Sequence, residues 1–423
     1  MDIDMESILL GYGTSVKKVD IPKKNLFGCL RPKKINCDLP ADEIIKKALQ
    51  NPIGTVRMKE MAAKGDQVAV IISDITRPCP SYLILPHVLD ELNQGGVPDK
   101  DITVISGLGV HRAHSMEERK RLVGPVVYER VKCIDSRGAK ADYMEVGKST
   151  KGTPFQVFRP VAEATKRICL GNIDYHYFAG YSGGAKAIVP GVCTKETIQA
   201  NHRMMLHPQA KVGVIEGNPV REDMEEVTKY LSIDFILNVV LDEEKKIMAA
   251  VAGDYIKAHR AGCRILDQAY RLPIGELADI VITCPHGFPK DINVYQAQKA
   301  LDNARWATKP DGIIILVAEC REGLGEEIFS QWIEEAESAS DIINRISQDF
   351  QLGGHKAAAI ADMAGQFRIF LVSGLPDQTV RKLFMEPFRE VSLAFAEAIK
   401  IMGDEAKIWV MPTGGTTLPQ IIG

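Results

Sequence analysis

The sequence predicts an α/β protein made of two α/β domains, each with a mainly parallel sheet, and an active site in the cleft between them. Three observations carry this. Short apolar runs that read as buried strands alternate with segments of helical periodicity. The alternation starts afresh after Arg271. Polar, glycine-containing motifs lie just beyond the apolar runs, where open parallel sheets bind ligands. The 423 residues exceed what one hydrophobic core serves and suit two large domains.

In chain order, Gln67–Ser73 reads as a strand, Tyr82–Asn93 as a helix and Asp101–Ser106 as the next strand. Ser115 opens S-M-E-E, a helix entry with acidic residues in the first turn. Phe155–Phe158, Arg167–Leu170, Val212–Ile215 and Phe235–Leu241 are further strand candidates. The second series has strands at Asp279–Thr283, Gly312–Val317, Ile369–Ser373 and Lys407–Met411. Its helices are expected at Val294–Trp306, Gln378–Phe384 and Phe388–Met402. The boundary falls in Gln268–Glu276, giving domains at 1–270 and 271–423.

A formal charge of −3, with only short basic runs at Lys23–Lys24 and Lys33–Lys34, offers no electrostatic footprint for nucleic acid. The opening MDIDMESILLGYG is acidic and does not read as a secretory signal, and no apolar run reaches the roughly 18 residues of a membrane helix. Nine Cys without a CxxC spacing fit reduced thiols, hence a cytoplasmic setting. Cys79, Cys193 and Cys284 lie near motifs but read as small buried hydrophobes.

Four clusters carry chemistry. In His176–Lys186 a histidine precedes a loop with three glycines, a serine and one lysine. Such a loop lets backbone N–H groups approach an anion, and Lys186 can supply charge or a covalent amine. The P-loop spacing fails, and a glycine-rich turn with a surface lysine is the bland alternative. Downstream come Gln199-Ala200-Asn201-His202 and His207, while His111 and His114 lie in the strand-exit loop GLGVHRAHS. Histidine titrates near neutrality and is the commonest neutral metal ligand, yet no zinc spacing is present. Asp74-Ile75-Thr76-Arg77 follows a buried strand, where Arg77 offers a bidentate fork for carboxylate or phosphate; an Asx-type turn would look the same. Tyr295, Gln296 and Lys299 start a helix opened by Asp291 or Asn293, with Gln296 and Lys299 on one face near its positive end.

Together, SDITRP, GLGVHR, H-Y-F-A-G-Y-S-G-G-A-K-A-I-V-P-G, A-N-H, E-G-N-P-V-R-E-D, F-P-K-D-I-N-V-Y-Q-A-Q-K and the tail P-T-G-G-T-T-L-P resemble the nickel-pincer nucleotide-dependent lactate racemase family, in family order over most of the chain. The resemblance implies a racemase or epimerase that inverts the hydroxyl-bearing carbon of a 2-hydroxy acid by reversible hydride transfer. It implies nickel held by a pyridinium-3,5-bisthiocarboxylic acid mononucleotide tethered to Lys186, with His202 as the protein ligand. Asp74, Ile75, Thr76 and Arg77 would bind the nucleotide, Arg77 alternatively facing the substrate carboxylate. His111 and His176 would be the acid/base pair, and Tyr295, Gln296 and Lys299 would contact substrate. The implied partners are a small 2-hydroxy acid and, transiently, cofactor-synthesis enzymes, with no nucleic acid or membrane.

Departures bear on the substrate. Ala185 and Ala187 stand where a more polar pair is expected, and Gly353-Gly354-His355-Lys356 does not supply the aromatic residue expected near a lactate methyl. Lys290 and His286 add polar groups, pointing to a substrate more polar than lactate. Two competing readings are a non-catalytic cofactor-binding or storage protein and a Schiff-base lyase using Lys186. The second lacks an evident hydrophobic pocket to depress the lysine.

Overall fold

The computed structural model describes residues 4–33, 35, 39–138, 141–348 and 350–422. The chain divides into two compact units, Ile35–Leu266 and Met1–Lys34 with Asp267–Gly423. The sequence reading put the first 34 residues with the N-terminal domain; by contacts they belong with the C-terminal one. The cause is burial. The hairpin Met5–Tyr12/Ser15–Pro22 alternates, and its apolar face (Ile8, Leu10, Val19, Ile21) packs into a core with Ile280, Ile313 and Phe370. Leu26–Cys29 then pairs in parallel with Ile408–Met411.

Among the described residues of the Ile35–Leu266 unit, a six-stranded sheet runs in the order Ile247–Gly253, Phe235–Leu241, Lys166–Ile173, Val68–Ser73, Ile102–Gly107, Lys132–Asp135. Only the first pair is antiparallel. The Val68–Ser73 strand is nearly all buried, as a central parallel strand covered on both faces should be. It leads into the helix Ser81–Gln94, whose Ile84, Leu85, Val88, Leu89 and Leu92 fill the core. The helix Met116–Val123 opens with a complete capping box, Ser115 and Glu118 satisfying each other's backbone N–H.

Val212–Ile215 is not a strand. Gly213 has φ 68°, its N–H donates to Gly180 O, and the segment turns beneath the glycine-rich loop instead of joining a sheet.

The other unit has its own six-stranded sheet, ordered Glu386–Phe388, Arg368–Val372, Thr308–Val317, Ala278–Thr283, Ile408–Met411, Leu26–Cys29 among the described residues, with every pair parallel. Both sheets thus carry candidate motifs at the carboxyl ends of strands: Asp74 after Ser73, Leu108–His114 after Gly107, and Cys284–Asp291 after Thr283. No helix among the described residues is long and apolar enough to cross a membrane.

Candidate active site

Asp74 is buried at the exit of its strand and closes an Asx-type turn, accepting from Thr76 N at 2.8 Å. Its other oxygen, Oδ2, lies 3.2 Å from Nδ1 of His111, with Arg77 Nε at 3.8 Å. Burial alone would raise this carboxyl. The hydrogen bonds from His111 and Thr76 and the charge of Arg77 overcome that and hold it near a pKa of about 2. Asp74 is therefore ionised, His111 Nδ1–H donates to it, and Nε2 becomes the basic nitrogen of a half-exposed ring. Ile75 contributes only its backbone: its N–H donates to Nε2 of His114 at 3.1 Å, while His114 Nδ1 donates to Asp135 at 2.8 Å. His114 is consequently a buried clamp on the loop. His207, exposed, accepts from Gln209 N in a local turn.

The second histidine sits on a short hairpin in which His176 pairs with Gly180. Its Nδ1 accepts the Ala179 N–H at 3.2 Å, which leaves the ring proton of the neutral form on Nε2. Burial, then the cations of Lys186, His202 and Arg77, push its pKa well below the usual imidazole value. An edge-to-face series of rings continues from His176 through Phe178 (4.5 Å) to His202 (4.8 Å).

His202 ends the helix Lys195–His202, entered through the Thr194 cap, and is buried. Its Nδ1 is 3.1 Å from Asn201 Oδ1, and Asn201 Nδ2 donates in turn to Asp223 at 2.8 Å. Orientation of one ring nitrogen by a hydrogen-bonded neighbour is what a metal-ligating histidine requires at the other. No group of three His, Cys, Asp or Glu that could hold a metal exists among the described residues. A metal at His202 would need most of its donors from elsewhere.

Lys186 lies in the short 3-10 helix Gly184–Ala187. Burial, then Arg77 and Arg221, lower its amine to about 7. The sequence shows no evident pocket to depress Lys186, which counts there against a Schiff-base lyase; in the fold, burial and Arg77 and Arg221, remote in sequence, depress it. At that pKa about half the amine is neutral and nucleophilic near pH 7. The thiols near the motifs are ordinary buried groups: burial raises Cys79 to about 12 and Cys284 to about 11, and Cys193 further.

Four residues that sequence reasoning left without a role hold this loop. Arg221, fully buried, donates to the carbonyls of Ala179, Tyr181 and Gly183. Asn218 donates to Phe178 O at 2.8 Å, His259 to Ser182 O at 2.8 Å, and Asn238 accepts from Gly184 N at 2.9 Å. The first two belong to the E-G-N-P-V-R-E-D stretch, so the motif was visible and its purpose was not.

In the other unit, Asn293 is the cap of the helix Val294–Ala304 and accepts from Gln296 N at 3.0 Å. Gln296 and Lys299 are exposed on one face of it. Tyr295 is half-buried against Phe329, and the buried Lys356 donates to Tyr295 O at 2.5 Å while sitting 4.0 Å above its ring. Asp291, the other candidate cap, instead accepts from Gly13 N and Glu319 N. His286 is exposed and Lys290 partly buried.

Residues 12–213 match the lactate racemase N-terminal domain, and residues 275–418 the lactate racemase C-terminal domain. A lactate racemase from Thermoanaerobacterium thermosaccharolyticum is 33% identical over 97% of this chain and 98% of its own. The chain belongs to the lactate racemase family. As a member it is an isomerase. The lactate racemase of Lactiplantibacillus plantarum is 31% identical over 89% of this chain and 90% of its own. The fold agrees: the solved lactate racemase apoprotein from T. thermosaccharolyticum superimposes with a TM-score of 0.90 at 32% identity, covering 98% of this chain and 100% of that one. A Thermotoga maritima protein at 18% identity, 92% and 100% coverage and TM-score 0.66 shares the fold.

Proposed function

We propose that the chain inverts the hydroxyl-bearing carbon of a 2-hydroxy acid, lactate or a more polar relative, using His111 and His176 to move the hydroxyl proton. The carrying observation is the His111–Asp74 pair: a buried ionised carboxylate on Nδ1 makes Nε2 a base and stabilises the imidazolium that forms. His176 offers Nε2–H from the opposite tautomer. One accepting and one donating imidazole suit a reaction run in both directions.

The residues fit the family's nickel-bearing nucleotide. His202 supplies one oriented imidazole, and a cofactor that brings its own soft donors would complete the metal's coordination there. Lys186 supplies a depressed amine for the covalent link, and Thr76 and Arg77 lie exposed at the end of the Asp74 turn for anionic oxygens. When bound, the group supplies a hydride acceptor for a carbon whose C–H is too weakly acidic to lose a proton. The chain's residues then bind the carboxylate, exclude water and hold the hydroxyl proton on His111 or His176. Substrate contact by Tyr295, Gln296 and Lys299 belongs to the same proposal.

A polar substrate end belongs to the same proposal and comes from Lys290 and His286, which add polar groups to the loop before the helix that carries Gln296 and Lys299. A buried polar group left without its partner costs about 1–3 kcal/mol, so a bare methyl should lose roughly ten- to a hundredfold to an oxygen-bearing chain. Chiral chromatography of a 2-hydroxy acid panel, with aldonates, malate and lactate, on cofactor-loaded enzyme tests this. Equal turnover of lactate and every polar candidate overturns the preference, and no inversion of any member overturns the activity.

A further inference from the structure

We propose that Arg221 is the positioning residue for Lys186: its buried guanidinium sets the conformation of the glycine-rich loop that presents the lysine amine for acylation. This rests on the reading that Lys186 carries the cofactor.

The loop closes on itself through a few backbone bonds, Tyr181 N–H to Ala179 O at 2.9 Å and Lys186 N–H to Gly183 O at 3.3 Å among them. Gly183 and Gly184 have φ 78° and 61°, a conformation that costs an L-residue side chain and that glycine adopts without holding it rigidly. Side chains from outside the loop add to these bonds. Arg221 reaches three carbonyls, those of Ala179, Tyr181 and Gly183, across 38 to 42 residues of sequence. A guanidinium can do this because its five donors form a fixed planar fork; an ammonium has three donors around one point. The fork is itself oriented. Glu225 Oε1 lies 3.8 Å from Arg221, and Glu225 is held by Arg260 through two 2.8 Å bonds. Arg260 also contacts His259, which bonds Ser182 O on the same loop. Lys186 follows the last of these anchored carbonyls, that of Gly183, by three residues.

Arg221 also brings charge. The cations acting on the Lys186 amine are Arg77, from the strand-exit loop, and Arg221, from the helix Pro219–Glu225. His176, on the hairpin, interacts with Lys186, and His202 acts on His176. Desolvation is the larger cause of the lowered amine, and Arg221 contributes to it as wall and as charge. Position and charge separate experimentally.

The test uses the apoprotein and acetic anhydride pulses over a pH series, with acetylation at Lys186 read by peptide mass spectrometry. The amine nitrogen bonds to one carbonyl carbon, acetate leaves with the C–O electron pair, and the ammonium proton passes to buffer. The exposed Lys246 is the internal control. In the wild type Lys186 should titrate near 7, well below Lys246. Arg221→Lys keeps the charge and loses the fork: the plateau rate at Lys186 should fall roughly tenfold or more, with the midpoint little changed. Arg221→Ala should lower the plateau and raise the midpoint, and guanidinium, not ammonium, should restore both. That rescue also serves if the variant alone folds poorly, because the added ion fills the space opened. A folded Arg221→Lys that acetylates Lys186 at the wild-type rate, or an Arg221→Ala rescued equally by ammonium, overturns the proposal. Intact mass of active, cofactor-loaded enzyme separately tests the covalent reading: no added mass on Lys186 sinks that reading, whatever the acetylation series shows.

Discussion

Nδ1 of His111 lies 3.2 Å from Oδ2 of Asp74, and that oxygen belongs to a carboxylate held near pKa 2. A carboxylate on one ring nitrogen fixes the tautomer, aims the other nitrogen and stabilises the imidazolium that forms when it takes a proton, which backbone geometry alone does not provide.

Asp74→Asn keeps the size of the side chain and removes its charge. Racemisation should fall roughly 10²- to 10⁴-fold, the range for losing an acid/base contribution, while circular dichroism stays that of the folded protein. A fall below threefold would show that His111 works without its carboxylate.

Lys186→Met should raise the pKa of His176, because the Lys186 cation is the largest electrostatic cause of its depression. The value should stay under 6.5, since burial is the first cause and remains. Histidine ring resonances in a pH titration by NMR read this directly, and an unshifted His176 counts against the interaction.

Stability should also respond to Lys186. Its amine titrates near 7 when folded and near 10.5 when unfolded, so between these values the unfolded chain binds the extra proton and stability rises with pH. About 1.4 kcal/mol per pKa unit sets a ceiling of roughly 5 kcal/mol for this group. Melting curves of wild type and Lys186→Met at pH 7 and pH 9.5 should show the wild type gaining on the variant. A constant difference would refute the depressed amine.

His202→Ala should lower the nickel content of protein produced with the cofactor-synthesis enzymes, with folding retained. Asn201→Ala should do the same more weakly, roughly ten- to a hundredfold in affinity, by releasing the ring that Asn201 orients. Full nickel occupancy in His202→Ala would move the ligand elsewhere.

Much of this was readable before any coordinates. Phe235–Leu241 is a strand at both ends as read, because an apolar run interrupted only by Asn238 reports a strand buried on both faces. The Ser115 capping box is likewise local, made by side chains three residues apart. Val212–Ile215 has a similar apolar look and is a turn, since one glycine at positive φ outweighs its β-propensity.

The sequence by itself determined which residue types stand at strand exits and in the glycine-rich loop, because those depend on neighbours a few positions away. Only the tertiary structure decided what they do. His111 meets Asp74 across 37 residues because adjacent parallel strands bring their exit loops together, and Arg221, on the helix Pro219–Glu225, meets Ala179 across 42. The depressed amine of Lys186 and the clamping role of His114 are likewise products of desolvation and of partners that no local pattern encodes. The same holds for the first 34 residues: their hairpin is written in alternation, but the core that buries it is supplied by strands more than 250 residues later.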